Sequence, residues 1–507
     1  MIRKPTAEEL AHEIPEASRG WESQREEVDT WVTDIEGTLP LELRGTFIRN
    51  GPGVTEVFGT PLKHPIDGDG MVVALTFMEG KVHFRNKFIQ TFSHKEEDIA
   101  KTMLYNGSMG SRVPGGPKDP RIMRDPSHTN AFYWGNKIMT CYEYGLPHAL
   151  DPCTLKTLGA DNLRGSLKEV KAMCAHFRYD AVQDRLVTIG FKPAVQGTLP
   201  KLEIHEYDRQ WNECSKLFVQ IDGLNYAHDF LMTPEWYVFH MSPFVDTSME
   251  TTMKILKGEL FPGETMKYKP DLPSRMVAIE RKPSGRVIEF STEPCHIYHF
   301  CNAIQTGNKI SFGAACLPVG FTMEWQYKAF LSNTSDAPGV YHNYIMDLDN
   351  RTCVRSCSPK VQDRSCEFPT SHPYRHCVRL DSDSPVLPPR YVYLMAGRPG
   401  VALPFTDLVK YDEQGERDGC WSPDAGGVVG EPVFIPRLGA ASAFYGDDDD
   451  GWLVTQVYYP GVHKVEYVII DATTMQLLCR IRAPIHIPYS FHGSFTPEVF
   501  VFPPTKL

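Results

Sequence analysis

The sequence predicts an all-β fold assembled from repeated antiparallel hairpins. Helical periodicity is scarce, and only three short helices are predicted, over residues 6–12, 94–105 and 250–260. Six β-rich runs pass through a turn with an aspartate and continue into another apolar run, at Asp151, Asp180, Asp208, Asp349, Asp412 and Asp471. Such repetition favours a β-propeller, with two β-sandwiches built from ordinary hairpins as the alternative.

The composition indicates a compact globular protein. The 507 residues are 42% hydrophobic, and no Ser/Gly-rich or charged linker divides them, which favours a single domain over residues 1–507. The formal net charge is −11, and no cluster of lysines and arginines appears. Because nucleic acids attract clustered positive charge, a nucleic-acid partner is not expected.

The cysteines and the N-terminus bear on the cellular compartment. The 13 cysteines form no CxxC pair, which argues against a zinc ribbon and favours a reducing compartment. The first 20 residues contain acidic side chains and no apolar segment of a signal peptide. No window approaches the roughly 18 apolar residues of a membrane span. We therefore expect an intracellular protein, cytoplasmic or peripheral to a membrane.

Four histidines lie in β-rich segments with distinctive neighbours. They are His176 in MCAHFRYD, His228 in NYAHDFLM, His299 in IYHFCNA and His492 in SFHGSF. They are too far apart in sequence for a local metal loop, but the inner strands of a propeller would bring them to one axis. Each one alone is also consistent with a hydrogen-bonded histidine in the core.

Nine short motifs resemble, in the same order, those of the carotenoid cleavage oxygenase family. They are LRGTFIRNGPG, DGDGMV, HALDPCTLKTLG, AHDFLMTPEWYVF, HFCNA, CEFP, GEPVFIPR, DDDGW and IPYSFHG. The resemblance implies a seven-bladed β-propeller with a helical or loop cap over an iron-bearing face. It also implies an N-terminal extension with cap helices over about residues 1–35.

The same resemblance implies a set of site residues. Its iron ligands would be His176, His228, His299 and His492, whereas His296 and His486 lack the H-x-x-N-A and F-H-G frames. Carboxylates that hydrogen-bond the ligating imidazoles would be Glu143, Glu367 and Glu431. A carboxylate that accepts from the second ring nitrogen orients a ligating imidazole and raises its basicity. His176 would be the ligand without such a partner.

Further positions are expected near the iron and the substrate. Thr129 matches a threonine whose methyl group projects toward a vacant coordination position, with an ordinary strand residue as the alternative. Phe230, Tyr298 and Phe300 are candidates to line the substrate path, with core packing as the alternative. Tyr142 stands where stilbene-cleaving members carry a lysine, and this loss of an ammonium group favours a carotenoid.

The resemblance implies a non-haem Fe(II) dioxygenase that uses O₂, without an organic cofactor, to cleave a conjugated double bond of a carotenoid or apocarotenoid into two carbonyl products. Cleavage of a stilbene or phenylpropenoid alkene is the alternative, followed by an isomerohydrolase on the same scaffold. A binding scaffold without activity is less favoured because all the ligand positions are kept.

Two further segments each allow two interpretations. Residues 239–261 carry Met, Phe, Leu and Lys and are compatible either with a peripheral membrane contact or with a cap helix packed on the propeller. The acidic run over residues 446–452 is interpreted as a solvated turn between strands, with a calcium loop as the alternative.

Overall fold

Seven sheets, arranged as blades around one axis, make up the protein. The computed structural model describes residues 16–168, 172–192, 200–223, 227–242, 248–266, 272–317, 339–357, 361, 364–380, 386–398, 403–415 and 417–501. The predicted β-propeller is confirmed, and the alternative of two β-sandwiches is wrong.

Blades 1 to 4 each run from a strand at the rim to a strand at the axis. In that order, blade 1 contains Asp29–Val32, Lys81–Phe88, Gly70–Met78, Gly45–Pro52 and Gly493–Thr496. Blade 2 contains Thr157–Ala160, His148–Leu150, Lys137–Cys141 and Asn130–Trp134. Blade 3 contains Glu213–Gln220, Lys201–Tyr207, Arg185–Lys192 and Arg178–Asp180. Blade 4 contains Val287–Thr292, Ser274–Glu280, Trp236–Met241 and Leu231–Met232.

Blades 5 to 7 complete the ring. Blade 5 contains Thr352–Cys357, Val340–Asp347, Lys309–Leu317 and His296–Thr306, and Cys377–Arg379 pairs in parallel with the last of these. Blade 6 contains Gly419–Trp421, Asp407–Asp412, Tyr391–Ala396 and Cys366–Thr370. Blade 7 contains Ile35–Gly37, Leu477–Arg482, Lys464–Asp471 and Gly451–Tyr459, with Val428–Val429 and Val433–Pro436 at the axis. A separate two-stranded hairpin pairs Glu56–Val57 with Thr60–Pro61.

Blade 1 closes the ring because it combines strands from both ends of the described chain. Gly493–Thr496 pairs antiparallel with the N-terminal strand, from Thr46 opposite Thr496 to Arg49 opposite Gly493. Part of the stretch predicted as an N-terminal extension also belongs to the sheets, since Asp29–Val32 and Ile35–Gly37 are rim strands of blades 1 and 7.

The core consists mainly of seven apolar clusters, one between each pair of neighbouring blades. Phe47 packs between blades 1 and 7, whereas the next residue, Ile48, packs between blades 1 and 2. Successive strand residues point to opposite faces, so a blade with apolar residues on both faces needs a neighbour on each side. This requirement explains why middle strands such as Gly70–Met78 and Tyr391–Ala396 read as nearly continuous apolar runs.

Two α-helices lie outside the blades. α1, Phe92–Ala100, begins at Thr91, whose hydroxyl accepts from the backbone N–H of His94, and ends at Lys101 in the left-handed region with φ 52°. The helix predicted over residues 94–105 therefore stops earlier than expected. α2, Met249–Leu256, is capped by Ser248 and lies within the predicted range 250–260 apart from its first residue. Residues 6–12 lie outside the described residues. Among the described helices, none is both long and apolar enough to cross a membrane.

All six predicted aspartate turns join adjacent antiparallel strands. In five of them the predicted aspartate accepts a backbone N–H of the turn, as Asp151 does from Thr154 at 2.8 Å. In blade 5 the turn is held instead by Asp347, which accepts from Asp349 and Asn350. Asp349 accepts from the side chain of Asn308.

The acidic run at 446–452 is not simply a solvated turn. Asp448 is buried and accepts the backbone N–H groups of Arg390 and Tyr391 at 2.6 and 3.0 Å. Asp449 forms a buried ion pair with Lys410, with 2.6 Å between Oδ2 and Nζ. The prediction is wrong for these two residues, because both fasten blade 7 to blade 6.

Candidate metal centre

The inner strands bring the four candidate histidines to the axis. His176 lies just before Arg178–Asp180 of blade 3, and His228 lies just before Leu231–Met232 of blade 4. His299 lies within the long inner strand of blade 5, and His492 immediately precedes the closing strand of blade 1. The four imidazoles therefore come from four different blades.

The ligand atoms of these histidines converge on one point. Nε2 of His228 lies 3.2 Å from Nε2 of His176 and 3.2 Å from Nε2 of His299. Nε2 of His299 lies 3.1 Å from Nε2 of His492. All four ligand atoms lie within 4.8 Å of one another, and this is the one group of this kind among the described residues.

Three of the imidazoles are held from behind by carboxylates. Nδ1 of His228 lies 2.8 Å from Oε1 of Glu143. The corresponding distances are 2.5 Å from His299 to Glu367 and 2.7 Å from His492 to Glu431. Because a carboxylate only accepts, each Nδ1 carries the proton and each Nε2 presents a lone pair. The lone pairs of His228, His299 and His492 thus face one another without a proton between them, an arrangement that a cation stabilises.

His176 has a different environment. Its Nδ1 lies 3.9 Å from Oδ1 of Asp229, beyond hydrogen-bond distance. Asp229 is instead engaged by Arg178 through two hydrogen bonds, of 2.8 and 2.9 Å, and by the backbone N–H of Phe300 at 2.9 Å. This buried pair links the strands that carry His176, His228 and His299.

Register shifts interrupt the regular pairing of the inner strands of blades 5 and 6 near the axis. The pairing of the blade 5 strand shifts register on both sides of Phe300, next to His299. The inner strand of blade 6 shifts between Glu367 and Thr370, and Phe368 has a φ of 51°. Bulges redirect side chains near functional sites. Here they turn the imidazole of His299, the carboxylate of Glu367 and the ring of Phe368 toward one another, with 4.7 Å between the ring centroids of Phe368 and His299.

The charges around the centre match a divalent cation. Arg49 is fully buried and lies 3.0 Å from Oε2 of Glu431, whose Oε1 holds His492. Three carboxylates and one guanidinium leave a net charge of −2 around four neutral imidazoles. Burying such a charge is costly without compensation, and a divalent ion at the four Nε2 atoms would neutralise it. The donor set therefore fits a metal ion.

Burial also favours the neutral form of two of the imidazoles. It lowers the pKa of His176 and His299 well below the usual value, and the neighbouring imidazoles lower it further. Burial raises the pKa of Glu367 to about 8, so its ionised form depends at neutral pH on a nearby positive charge, which a divalent ion at the four histidines would supply. For Glu143, burial acts in the same direction and is the largest single effect, but the hydrogen bond from His228 and further electrostatic interactions together outweigh it, and the pKa is lowered.

The other residues predicted near the iron and the substrate, and the two histidines not predicted as ligands, make contacts of their own. The hydroxyl of Thr129 lies 3.3 Å from Oε2 of Glu143, and its carbonyl accepts from the backbone N–H of His492 at 3.2 Å. Tyr142 is buried and hydrogen-bonds Ser108. Phe230 packs in the cluster between blades 3 and 4. The ring of Tyr298 lies 5.3 Å from that of His228. His296 bonds Ser242 at 2.7 Å, and His486 bonds the carbonyl of Glu22 at 3.2 Å.

One cavity borders the centre, and a second is connected to it through Phe368, which stacks on His299. An axial cavity of about 420 Å³ extends from His176, His299 and His492 along the inner strands, and Phe300 is part of its wall. A second, apolar cavity of about 150 Å³ lies beside the N-terminal segment and includes Ile66 and Phe491 in its wall. Phe368 lines both cavities.

Sequence reasoning missed several residues of the site. Arg49, Asp229 and Phe368 all contact a histidine of the centre or its carboxylate. Asp229 and Phe368 directly follow His228 and Glu367, so adjacency to the candidate residues was an available signal. Arg49 lies in an N-terminal motif far from Glu431, and nothing local in the sequence links them.

This arrangement can be compared with known proteins. The sequence matches the family described as retinal pigment epithelial membrane protein over residues 21–497. Apocarotenoid-15,15'-oxygenase from Synechocystis sp. is 33% identical over 494 residues, which cover 94% of this chain and 95% of that protein. The chain belongs to the carotenoid cleavage oxygenase family.

Other members support this assignment. The crystal structure of cobalt-substituted apocarotenoid oxygenase (ACO) from Synechocystis superposes with a TM-score of 0.85 at 30% identity. The match covers 95% of this chain and 98% of that one. Resveratrol cleavage oxygenase 1 from Botryotinia fuckeliana is 23% identical over 492 residues, covering 90% and 81% of the two chains. As a carotenoid cleavage oxygenase family member, the chain is an oxygenase. The metal-substituted relative supports metal binding by this protein, and the four histidines are a group that could hold the ion.

Proposed function

We propose that the protein is an Fe(II)-dependent dioxygenase that cleaves one conjugated double bond of a carotenoid or apocarotenoid. The observation that carries this proposal is the convergence of four imidazoles, three of them held by glutamates. In the overall reaction the alkene carbon–carbon bond breaks, and each carbon takes one oxygen atom of O₂ to give two carbonyl products. When bound, Fe(II) would supply oxygen activation at its positions left open by four histidines.

The residues of the chain would position the metal and the substrate. His176, His228, His299 and His492 hold the metal, and Glu143, Glu367 and Glu431 keep three of their lone pairs directed at it. Thr129 lies against both Glu143 and His492 and would limit what approaches the open positions. Phe368, stacked on His299, separates the axial cavity from the apolar one and would exclude water from the reacting bond.

The apolar cavity supports a hydrocarbon substrate. Its described wall contains no lysine or arginine. Several of its polar side chains are engaged, since Gln456 donates to the carbonyls of Ile487 and Pro488, and Tyr489 donates to that of Ala17. A polar ligand group would find few free partners in this cavity, whereas methylated polyene surface would be desolvated at little cost.

A phenolic alkene is the second candidate substrate. Isoeugenol monooxygenase from Pseudomonas nitroreducens is 24% identical over 492 residues, and the resveratrol-cleaving relative is similarly distant. The position expected to bind a phenol in such enzymes is Tyr142, whose hydroxyl is already bonded to Ser108. Without an ammonium group there, stabilisation of a phenolate is lost, which favours the carotenoid.

Labelled oxygen tests the reaction. Fe(II)-loaded protein is incubated with an all-trans apocarotenal, β-carotene, resveratrol or isoeugenol under ¹⁸O₂, with a short work-up that limits carbonyl exchange with water. We expect cleavage of the apocarotenal with ¹⁸O in both carbonyl products, detected by mass spectrometry. Preference for resveratrol or isoeugenol would overturn the proposed substrate class, and isomerised or hydrolysed products without ¹⁸O would overturn the oxygenase chemistry.

Two histidines close together in sequence provide a matched control. His492→Ala removes a proposed ligand and should abolish both stoichiometric iron and cleavage. His486→Ala removes an imidazole that bonds the carbonyl of Glu22 and should preserve both. Retention of full iron content by His492→Ala would contradict the proposed metal centre.

We also propose that α2 contacts the membrane in which such a substrate dissolves. Met249, Met253 and Ile255 of this helix are 51%, 42% and 38% exposed. Amphipathic helices with exposed apolar side chains bind at lipid interfaces. Residues 243–247, within the predicted segment, lie outside the described residues.

Vesicle sedimentation tests this contact. Replacing Met249, Met253 and Ile255 together by serine should reduce binding to phosphatidylcholine vesicles, which avoid repulsion of a chain with a net charge of −11. The matched control replaces Ile345 and Val354, which are 52% and 64% exposed on outer strands of blade 5. Equal loss of binding in both variants, or in neither, would contradict a specific role for α2.

A further inference from the structure

Another histidine, fully buried, lies beside the metal centre without belonging to it. His128 is 0% exposed and immediately precedes Thr129, at the start of the inner strand of blade 2. Its ring lies edge to face with Phe491, with 5.1 Å between centroids, and with Tyr142, with 5.5 Å. A fully enclosed imidazole must have partners for its polar atoms or destabilise the fold.

The partners of His128 determine which ring nitrogen carries the proton. Nε2 lies 2.6 Å from the carbonyl oxygen of Ile66. A carbonyl only accepts, so Nε2 must donate and Nδ1 of the neutral ring is left with a lone pair. His128 therefore holds Ile66 on one side and offers an acceptor on the other.

That acceptor faces the hydroxyl of Thr129. Oγ1 of Thr129 lies 3.3 Å from Nδ1 of His128 and 3.3 Å from Oε2 of Glu143. The hydroxyl has one proton and two acceptors, one on each side. The proton is donated to one acceptor at a time, and either donation keeps the oxygen on the side of the two acceptors. Because the oxygen and the methyl occupy different staggered positions on Cβ, fixing the oxygen fixes the methyl as well.

Thr129 in turn hydrogen-bonds the glutamate behind one histidine of the centre and the backbone of another. Glu143, which its hydroxyl meets, holds Nδ1 of His228 at 2.8 Å. The carbonyl of Thr129 accepts from the backbone N–H of His492 at 3.2 Å. A change in the side-chain rotamer of Thr129 would therefore act on His228 through Glu143, whereas the backbone bond ties the same residue to His492.

His128 also contacts two residues in the wall of the apolar cavity. Ile66, whose carbonyl it holds, and Phe491, which its ring contacts, both line that cavity. Tyr142, on its other side, directly precedes Glu143 in the chain. His128 is thus placed between the wall of the proposed substrate cavity and the groups behind the metal.

We propose that His128 is a positioning residue that fixes the rotamer of Thr129 by accepting from, or competing for, its hydroxyl proton, and so sets the geometry of the metal site. This inference rests on the proposed function for the role of the metal. His128 itself touches neither metal nor substrate in this role, and it acts through Thr129.

The test uses two substitutions with different hydrogen-bonding capacity. His128→Leu removes the acceptor for Thr129, whereas the side-chain oxygen of His128→Asn can still accept at a position close to that of Nδ1. The readouts are the visible d–d spectrum of the protein loaded with Co(II), without substrate, and kcat and the KM for O₂ of the protein loaded with Fe(II). We expect His128→Leu to alter the Co(II) spectrum and to lower kcat/KM for O₂ about tenfold, as for outer groups that hold metal ligands. His128→Asn should restore most of both.

A double-mutant cycle separates positioning from general packing. Thr129→Val keeps the shape of the side chain and removes the hydroxyl. If His128 acts through that hydroxyl, His128→Leu should have little further effect on the Co(II) spectrum or on kcat/KM in the Thr129→Val protein. Additive effects of the two substitutions would overturn the proposal, as would a failure of His128→Asn to restore either readout.

A second buried histidine provides the control for loss of packing. His372 is 1% exposed, and its Nε2 lies 2.6 Å from the hydroxyl of Ser442. His372→Leu should lower the melting temperature and leave the Co(II) spectrum unchanged, and an equal spectral change would overturn a specific role for His128. Because the Co(II) spectrum needs no substrate, an altered spectrum in His128→Leu together with absent cleavage by the wild type would reject the proposed function and retain the positioning role.

Discussion

At the scale of single residues, the glutamates behind the histidines differ in what else they hold. Glu367 and Glu431 each accept from one histidine, at 2.5 and 2.7 Å. Glu431 also bonds Arg49, whose side chain is fully buried. Both carboxylates orient a proposed metal ligand, but of the two only Glu431 also forms an ion pair with the buried Arg49.

Isosteric substitutions should separate these two roles. Glu367→Gln and Glu431→Gln should each weaken metal affinity about 10- to 100-fold, because each weakens the orientation of one imidazole. Only Glu431→Gln removes the negative charge that pairs with buried Arg49, whose guanidinium then keeps backbone carbonyls as acceptors, and this loss should cost about 3 kcal/mol of unfolding free energy. Metal titration and denaturant unfolding of the metal-free proteins measure the two effects. Equal destabilisation by both substitutions would contradict this division of roles.

The sequence predicts single residues well where a local frame surrounds them. The immediate neighbours of His299 and His492 distinguish them from His296 and His486, and the structure brings the selected pair together. The orientation of Phe368 was not predictable, because it follows from a register shift and a positive φ rather than from residue type. The choice of Asp347 over Asp349 in the blade 5 turn likewise depends on where the strand ends.

At the scale of elements, the hairpins were predictable because their pairing is local. The limits of the helices were less so, since the left-handed conformation at Lys101 ends α1 inside an apparently periodic segment. The closing strand Gly493–Thr496 pairs with residues at the other end of the chain. Nothing within either strand identifies its partner, so ring closure followed only from the resemblance to a known fold.

The closing strand carries out two tasks that can be tested apart. Truncation after Phe491 removes His492 and also the strand that completes blade 1, where Ser494 donates to the carbonyl of Ala131 of blade 2. We expect the truncated chain to lose both metal binding and cooperative unfolding, whereas His492→Ala should lose metal binding alone. Circular dichroism melts and metal analysis of the two proteins distinguish the outcomes. A truncated protein that melts like the full chain would refute the role of this strand in closure.

At the scale of the whole molecule, every blade contributes at least one group to the centre. Blades 1, 3, 4 and 5 provide His492, His176, His228 and His299. Blades 2, 6 and 7 provide Glu143, Glu367 and Glu431, and Arg49 adds a second group from blade 1. The inner ends of the seven sheets are thus joined by one network of charges and hydrogen bonds, in addition to the apolar clusters between their faces.

A metal at this position should therefore stabilise the ring as a whole. The unfolded chain holds the four histidines far apart, so the ion binds the folded state preferentially. At a free metal concentration 100 times the Kd, such binding contributes about 2.7 kcal/mol of stability. Calorimetry of wild-type protein should therefore give a higher melting temperature with Fe(II) or Co(II) than after chelation, and the difference should grow with metal concentration. His492→Ala, with its ligand set broken at blade 1, should show little of this shift. The same shift in that variant would mean that the stabilising ion binds elsewhere, and the link between the centre and the stability of the ring would be wrong.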